Sequence, residues 1–295
     1  SVMRDQFNGD LRFNEPMSKH TSLRVGGPAE QFFIPHSVED LSIFLKTLDS
    51  NLPILWLGRG SNLLVRDGGL SGVVVATSNI SNVIEKVGKY LVRVGASIPC
   101  TKFARQCIRW KLGPSEFFSG IPGTIGGALS MNAGAFGYET WDNVFEVHTI
   151  NREGKIRTRN PKDFQVSYRN VLGPENEWFI EAKMLFDPKF EASMEKQKDI
   201  INARKNTQPI GLPSCGSVFQ NPPGDFAARL IESANLKGYR IGGAEISSKH
   251  ANFVINVGSA TAEDIEKLIL FMRKTVLKVH NVMLKKEVRI VGSGS

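Results

Sequence analysis

The sequence predicts an α+β protein of two α+β lobes followed by a third α+β section, and three observations carry that reading. At 295 residues, 41% of them hydrophobic, the chain is long for one core and sufficient for two or three. The strand-like and helix-like segments before residue 78 follow in the order β, α, β, β, which makes one compact α+β lobe, and a second set of strands and a helix follows it. Two glycine-rich runs interrupt the pattern, Leu57-Gly-Arg-Gly-Ser-Asn62 in the first lobe and Gly120-Ile-Pro-Gly-Thr-Ile-Gly-Gly-Ala-Leu-Ser-Met-Asn-Ala-Gly134 in the second.

Residues 1–22 lack periodicity and read as an irregular lead-in. Glu30–Pro35 follows as a strand. Ser37-Val-Glu-Asp40 resembles a capping box, and Leu41, Phe44, Leu45 and Leu48 behind it fall at helical spacing. Ile54–Leu57 and Gly72–Ala76 read as strands that complete the first lobe, residues 1–78. The second lobe, 79–195, opens with a strand pair ending in Tyr90–Gly95. A helix then runs from Pro99 through Phe103, Cys107 and Trp110 to a stop at Gly113-Pro114. Val144–Asn151 and Lys155–Arg159 read as a hairpin about Arg152-Glu-Gly-Lys155, and Trp178–Phe186 alternates as a strand. The glycine-rich loop of this lobe is expected to face the first lobe across a cleft.

A polar helix over Glu191–Arg204 leads into a third section, 196–282. It contains a loop at Gly211–Gly224, a helix at Phe226–Ala234 and a strand at Ala251–Val257. A long helix starts at Thr261-Ala-Glu-Asp264, with a core face of Ile265, Leu268, Ile269, Met272, Val276 and Val279. Residues 283–295 supply a last strand, Val288–Val291, and a tail.

The formal charge is +8, yet Lys and Arg are scattered without interleaved aromatics, which is not the footprint of a nucleic-acid binder. Dispersed positive charge suits anionic small molecules. No segment approaches a membrane span and no signal sequence opens the chain, so it reads as a cytoplasmic protein, and as a monomer. Cys100, Cys107 and Cys215 form an odd, widely spaced set, and the five histidines lack ligand spacing, so no disulfide and no metal is implied.

The glycine runs are backbone devices, since glycine lets main-chain N–H groups approach a ligand closely. With no Lys or Arg in the second run, a phosphate there must be held by amides and by the hydroxyls of Thr124 and Ser130. Neither run fits the Gly-x4-Gly-Lys-Ser/Thr loop or the dinucleotide fingerprint; position 78, twenty on from Gly58, is serine. Two such loops point to one large phosphate-bearing ligand. Polar groups able to reach a substrate are Ser167-Tyr-Arg169, Arg204, Ser214-Cys-Gly-Ser217 with Gln220-Asn221, His250 and Glu287. Each alone also fits an ordinary turn, ion-pair or surface role.

Six motifs in order carry a resemblance. They are Lys19-His-Thr-Ser-Leu-Arg-Val-Gly-Gly27, Gly58-Arg-Gly-Ser-Asn-Leu63, Gly120-Ile-Pro-Gly-Thr-Ile-Gly-Gly127, Ser167-Tyr-Arg169, Ser214-Cys-Gly-Ser-Val-Phe-Gln-Asn-Pro222 and Glu287-Val-Arg-Ile-Val-Gly292. Together, across residues 14–292, they resemble the UDP-N-acetylenolpyruvoylglucosamine reductase family. That resemblance implies a fold binding FAD between two α+β subdomains, with a third domain for substrate. It implies reduction of the flavin by NADPH and hydride transfer to the enolpyruvyl group of a UDP-sugar, giving UDP-N-acetylmuramate for the bacterial cell wall.

Carried over by position, the resemblance makes Ser217 the proton donor, with Arg169 and Glu287 polarising the substrate. It assigns FAD to Leu57, Gly58, Arg59, Gly60, Ser61, Asn62 and Leu63, to Ile121, Pro122, Gly123, Thr124, Gly126, Gly127, Ala133 and Gly134, and to Arg289. It assigns substrate contacts to Tyr168, Arg204, Gly216, Gln220, Asn221 and His250. An ionised Glu287 would repel the substrate carboxylate, so it is expected to act as a neutral donor in the complex. Between Phe186 and Arg204 there is no tyrosine, so the chain resembles the compact subtype without the inserted tyrosine loop. Other readings are a flavin oxidase of the same fold, a non-catalytic nucleotide-binding module, and a thiol hydrolase using Cys215 and His250.

Overall fold

The computed structural model describes residues 6–294. Its chain forms two compact units, one of Ser1–Arg12, Phe32–Gly58 and Val73–Asn202, the other of Phe13–Gln31, Arg59–Gly72 and Ala203–Ser295. The chain contains a four-stranded sheet. The order of that sheet is Asp10–Pro16, Pro28–Ile34, Leu70–Ala76, Ile54–Leu57, the last two parallel.

In the first unit, helix α1 (Val38–Lys46) starts where the sequence places it, the Ser37 hydroxyl accepting the Asp40 N–H at 3.1 Å. Its buried Leu41 and Leu45 pack with Val75, Ile150 and Ile180. A five-stranded antiparallel sheet is ordered Ile156–Arg159, Val144–Asn151, Glu177–Leu185, Leu91–Gly95, Ile84–Lys86. Helix α2 (Cys100–Arg109) buries Phe103 and Cys107 in the main core beside Phe118 and Met184. Helix α3 (Ile125–Met131) lies inside the glycine-rich run and adds Leu129 to that core. Helix α4 (Met194–Thr207) begins three residues later than the sequence pattern suggests and runs from the first unit into the second.

The second unit is built on α6 (Ala262–His280), whose Thr261 hydroxyl and Asp264 carboxylate cap one another's backbone N–H groups. The Asp67 carboxylate takes two further orphan N–H groups, from Ala262 and Glu263, both at 3.0 Å. Ile265, Leu268, Ile269, Met272 and Val276 are buried with Leu64, Val218, Phe219 and Leu230. Helix α5 (Ala227–Ser233) and a small sheet, Arg240–Ile241, Ala244–Ile246, Val254–Asn256, complete it. Arg289–Val291 pairs in parallel with Leu63–Val65.

Four expectations need correction. The lead-in contains the edge strand Asp10–Pro16, invisible in the sequence because most of it is exposed and nothing enforces apolar alternation. The glycine-rich run is not all loop. The strand expected over Ala251–Val257 is confined to Val254–Asn256. Val279 is 55% exposed, because the last turn of α6 extends beyond the core.

Candidate active site

The two glycine runs meet in the first unit. A Cβ placed on Gly58 would lie 3.0 Å from Thr124 Oγ1, so a side chain there would press on the Thr124 hydroxyl. Thr124, buried, is the N-cap of α3, its hydroxyl 3.4 Å from the Gly127 N–H. Gly127 is exposed and Pro122 too, while Ile121, Gly126 and Ala133 are buried, so the run presents main chain outward and apolar side chains inward. The Ser130 hydroxyl donates to the Gly126 carbonyl within α3. Gly123 adopts φ +92°, turning the chain into the helix. Leu57 is buried at the end of its strand, and its carbonyl accepts from the Thr77 N–H and hydroxyl, both at 2.9 Å.

Arg169 also belongs to the first unit. Ser167 pairs with Asn170, leaving Tyr168 and Arg169 as a two-residue turn, with Arg169 at φ +52°. The guanidinium donates from Nη1 to the Asn132 carbonyl at 3.3 Å and from Nη2 to the Gly134 carbonyl at 3.1 Å. The exposed Tyr168 ring lies 4.8 Å from its central carbon, a cation–π arrangement. One catalytic candidate is thus aimed at the last residues of the glycine-rich run.

The second unit gathers most of the rest. Gly60 sits at φ +65°, where a Cβ would come within 2.3 Å of the His20 carbonyl, and its own carbonyl accepts the Ser22 N–H at 3.0 Å. The Lys19–Gly27 segment is therefore the wall against which this loop is folded. Beyond Ser61, the Asn62 amide donates to the Glu287 carbonyl at 3.1 Å, and the Arg289 N–H donates to the Asn62 carbonyl at 3.1 Å. Glu287 N–H in turn donates to the Val218 carbonyl at 2.8 Å, beside Ser217. Main-chain hydrogen bonds thus join the glycine loop from Asn62 through Leu63, the Glu287–Arg289 segment and the Ser217 turn.

The Ser217 turn is itself clamped. Gly216 has φ +70°, and the Val218 N–H donates to the Asn252 carbonyl. The buried Asn252 side chain accepts the Phe219 N–H at 3.0 Å and donates to the Phe219 carbonyl at 2.9 Å. Gln220 N–H reaches the Lys285 carbonyl at 2.8 Å, and Asn221 Oδ1 accepts the Ala227 N–H at 3.0 Å at the start of α5.

His250 Nδ1 accepts the Asn252 N–H at 3.2 Å, so the neutral ring carries its proton on Nε2. Burial pulls its pKa below the ordinary histidine value. Burial likewise lowers the pKa of the half-buried Arg204 guanidinium on α4. Cys215 is driven the other way, its thiol pushed up to about 12 by burial with the Glu287 charge adding to it, the opposite of an activated nucleophile.

Among the site residues named from sequence, the structure brings together Gly58 with Thr124, Arg169 with Gly134, and Asn62, Arg289 and Glu287 with the Ser217 turn. Sequence reading missed Asn132 and Asn252, the buried asparagines that hold the two turns. Asn132 had a readable signal, an asparagine directly behind an apolar helical stretch, as a left-handed helix end requires.

Residues 29–160 match the FAD binding domain family, and residues 208–291 match the C-terminal domain of UDP-N-acetylenolpyruvoylglucosamine reductase. The UDP-N-acetylenolpyruvoylglucosamine reductase of Alkalilimnicola ehrlichii is 51% identical over 96% of this chain and 95% of its own. The same-named protein of Methylococcus capsulatus is 53% identical over 95% and 92%. The chain belongs to the UDP-N-acetylenolpyruvoylglucosamine reductase family. The crystal structure of the reductase of this name from Thermus caldophilus superposes with a TM-score of 0.80 at 28% identity, covering 97% of this chain and 99% of that one. The expected α+β class, with FAD-binding and reductase C-terminal domains, is borne out.

The residues present fit the dinucleotide that this family takes. Gly58 comes close to the Thr124 hydroxyl, the outward face of residues 120–134 carries no charge and exposes the main chain at Gly127, and a capped helix start stands at Thr124.

Proposed function

We propose that the family's reductase chemistry rests here on Ser217, Arg169 and Glu287. The chain is an FAD- and NADPH-dependent oxidoreductase that reduces the enolpyruvyl group of UDP-N-acetylglucosamine enolpyruvate to UDP-N-acetylmuramate, a step of peptidoglycan synthesis. The observation that carries the residue assignment is the pair of hydrogen bonds from the Asn62 side-chain amide to the Glu287 carbonyl and from the Glu287 N–H to the Val218 carbonyl, which ties the backbone of the cofactor loop, of Glu287 and of the residue after Ser217 together.

FAD, when bound, supplies a two-electron carrier that passes hydride from NADPH to the terminal alkene carbon of the substrate. Leu57 to Leu63, Ile121 to Thr124, Gly126, Gly127, Ala133, Gly134 and Arg289 would hold it, mainly through backbone amides. Arg169 pairs with the substrate carboxylate and stabilises the negative charge that develops toward it as hydride arrives. Ser217 transfers its hydroxyl proton to the carbon bearing the ether oxygen, and the alkoxide is reprotonated from solvent. Serine is a weak acid, so the clamp of Asn252 and Gly216 matters: the proton moves only when the hydroxyl is held within hydrogen-bond reach.

Glu287 takes up a proton in the complex and donates a hydrogen bond to the carboxylate rather than opposing it. Glu287→Gln should therefore alter the pH–rate profile, and an unchanged profile would exclude this role. Tyr168, Arg204, Gly216, Gln220, Asn221 and His250 contact the UDP-sugar, with Arg204 at the diphosphate. The FAD lobes correspond to 1–78 and 79–195, the substrate domain to 196–282 and the returning strand to 283–295, in keeping with the family matches at 29–160 and 208–291.

No helix among the described residues is long and apolar enough to cross a membrane, and no disulfide joins the three cysteines. NADPH as co-substrate fits a cytoplasmic enzyme, and we infer that it works as a monomer, which sedimentation would check. The deciding experiment is an absorbance spectrum of the purified protein, anaerobic reduction with NADPH, then addition of the enolpyruvyl UDP-sugar. The yellow colour should bleach and return. A colourless protein that FAD does not reconstitute, or bleaching that the substrate does not reverse, would overturn the reading.

A further inference from the structure

Asn132 closes α3 in the left-handed conformation, φ +52°, and its side chain is fully buried. Nδ2 donates to the Glu139 carboxylate at 2.7 Å and to the Ser167 carbonyl at 3.0 Å, while Oδ1 accepts the Trp141 N–H at 3.1 Å. Two acceptors on one side and one donor on the other leave a single orientation for the amide. Its backbone carbonyl accepts from Arg169 Nη1 at 3.3 Å. One residue thus holds both ends of the Arg169 geometry. The Ser167 bond fixes where the turn begins, and the carbonyl fixes where the guanidinium points. Gly134 makes room for this: a Cβ there would stand 2.9 Å from Arg169 Nη1.

We propose that Asn132 is the positioning residue that aims the Arg169 guanidinium, with the Glu139 carboxylate anchoring the Asn132 amide in turn. The inference rests on Arg169 acting on the substrate, as assigned above. A backbone hairpin turn alone leaves a long arginine side chain many rotamers, and an electrostatic contact to developing charge needs one. Aspartate at this position keeps the shape, removes both donors and sets a second carboxylate against Glu139.

The test uses the FAD-loaded full chain and measures the two half-reactions separately in Asn132→Asp, Asn132→Gly and Arg169→Lys. Asn132→Gly keeps the left-handed backbone should the aspartate variant fail to fold. FAD content and the rate of bleaching by NADPH should stay at the wild-type level in both Asn132 variants. Recovery of colour with the enolpyruvyl UDP-sugar should slow by about 10² fold, the loss typical of an approximately 1 Å misplacement, with the defect in kcat rather than KM. A purely structural role would instead lower FAD content and slow both half-reactions together, and that result, or wild-type colour recovery, overturns the inference. If Arg169→Lys is impaired while the Asn132 variants recover colour at wild-type speed, the positioning role alone falls. Wild-type recovery by Arg169→Lys removes the Arg169 assignment and the inference with it.

Discussion

The turn that carries Arg169 and the turn that carries Ser217 solve one problem, aiming a polar group out of irregular backbone, in opposite ways. Arg169 stands on a two-residue hairpin turn whose strands are largely exposed, and its reach is long, so its direction is set by acceptors placed on the glycine-rich run. Ser217 has a short side chain that can point only where its backbone sends it. Its turn is accordingly bonded to Asn252 and, through Val218, to Glu287, next to buried Val218 and Phe219. The long side chain is steered at its tip and the short one at its root. Mutations at the contacts of Arg169 should then misdirect the tip of a long side chain, whereas mutations near Ser217 should shift the backbone that carries the hydroxyl.

The sharpest break of that comparison is at the hydroxyl itself. Ser217→Ala should slow recovery of the flavin colour by about 10² to 10⁴ fold, the usual range for a lost general acid, and leave bleaching by NADPH untouched. Equal slowing of both half-reactions would deny Ser217 its place.

Asn252 tests the root-steering half. Replacing it with alanine leaves the Phe219 N–H and carbonyl buried without their amide partner, which should lower unfolding free energy by about 1–3 kcal/mol in a denaturant titration. Colour recovery should slow in the same variant. Full stability in this variant would show that the amide does not hold the Phe219 backbone, and would erase the contrast.

The cap of α3 is expected to matter less. Thr124→Ala should cost about 1 kcal/mol of stability, the ordinary worth of an N-cap, and weaken FAD retention during dialysis because the amides at the helix start lose their register. Unchanged retention would show that the Gly58–Thr124 approach is not part of the cradle.

Much of this was legible from sequence where local chemistry decides the outcome. Thr261 and Asp264 announce the start of α6, Ser37 that of α1, and the alternation over 177–185 its strand. Spacing also grouped Cys100 with Cys107 on a buried face. What stayed hidden depends on tertiary partners. A helix over Ile125–Met131 defies the low propensity of its glycines, and only the Thr124 cap and the packing of Leu129 into the core make it stable. The strand Asp10–Pro16 has no buried face to impose a pattern. Of the site, the six motifs gave the residues, but not that His20 is the wall for Gly60 or that Asn62 bonds to Glu287, since those contacts span about 40 and 225 positions of sequence.

The smallest effect concerns His250, which lies two residues from Asn252 and shares its bonding. Burial favours the neutral ring, and Nδ1 is already occupied by the Asn252 N–H. The pKa of the folded state thus lies below the ordinary 6.5. For a base the sign follows directly: the unfolded chain binds a proton that the folded one refuses. The contribution of His250 to stability is complete above pH 6.5 and declines as pH falls from there toward the folded-state value. A titration of the ring protons by NMR should place the His250 midpoint below that of exposed histidines, with Nε2 protonated at neutral pH. A midpoint at or above 6.5 would mean that the ring has turned from Asn252 toward solvent, and that this edge of the Ser217 clamp is looser than the main-chain bonds around it.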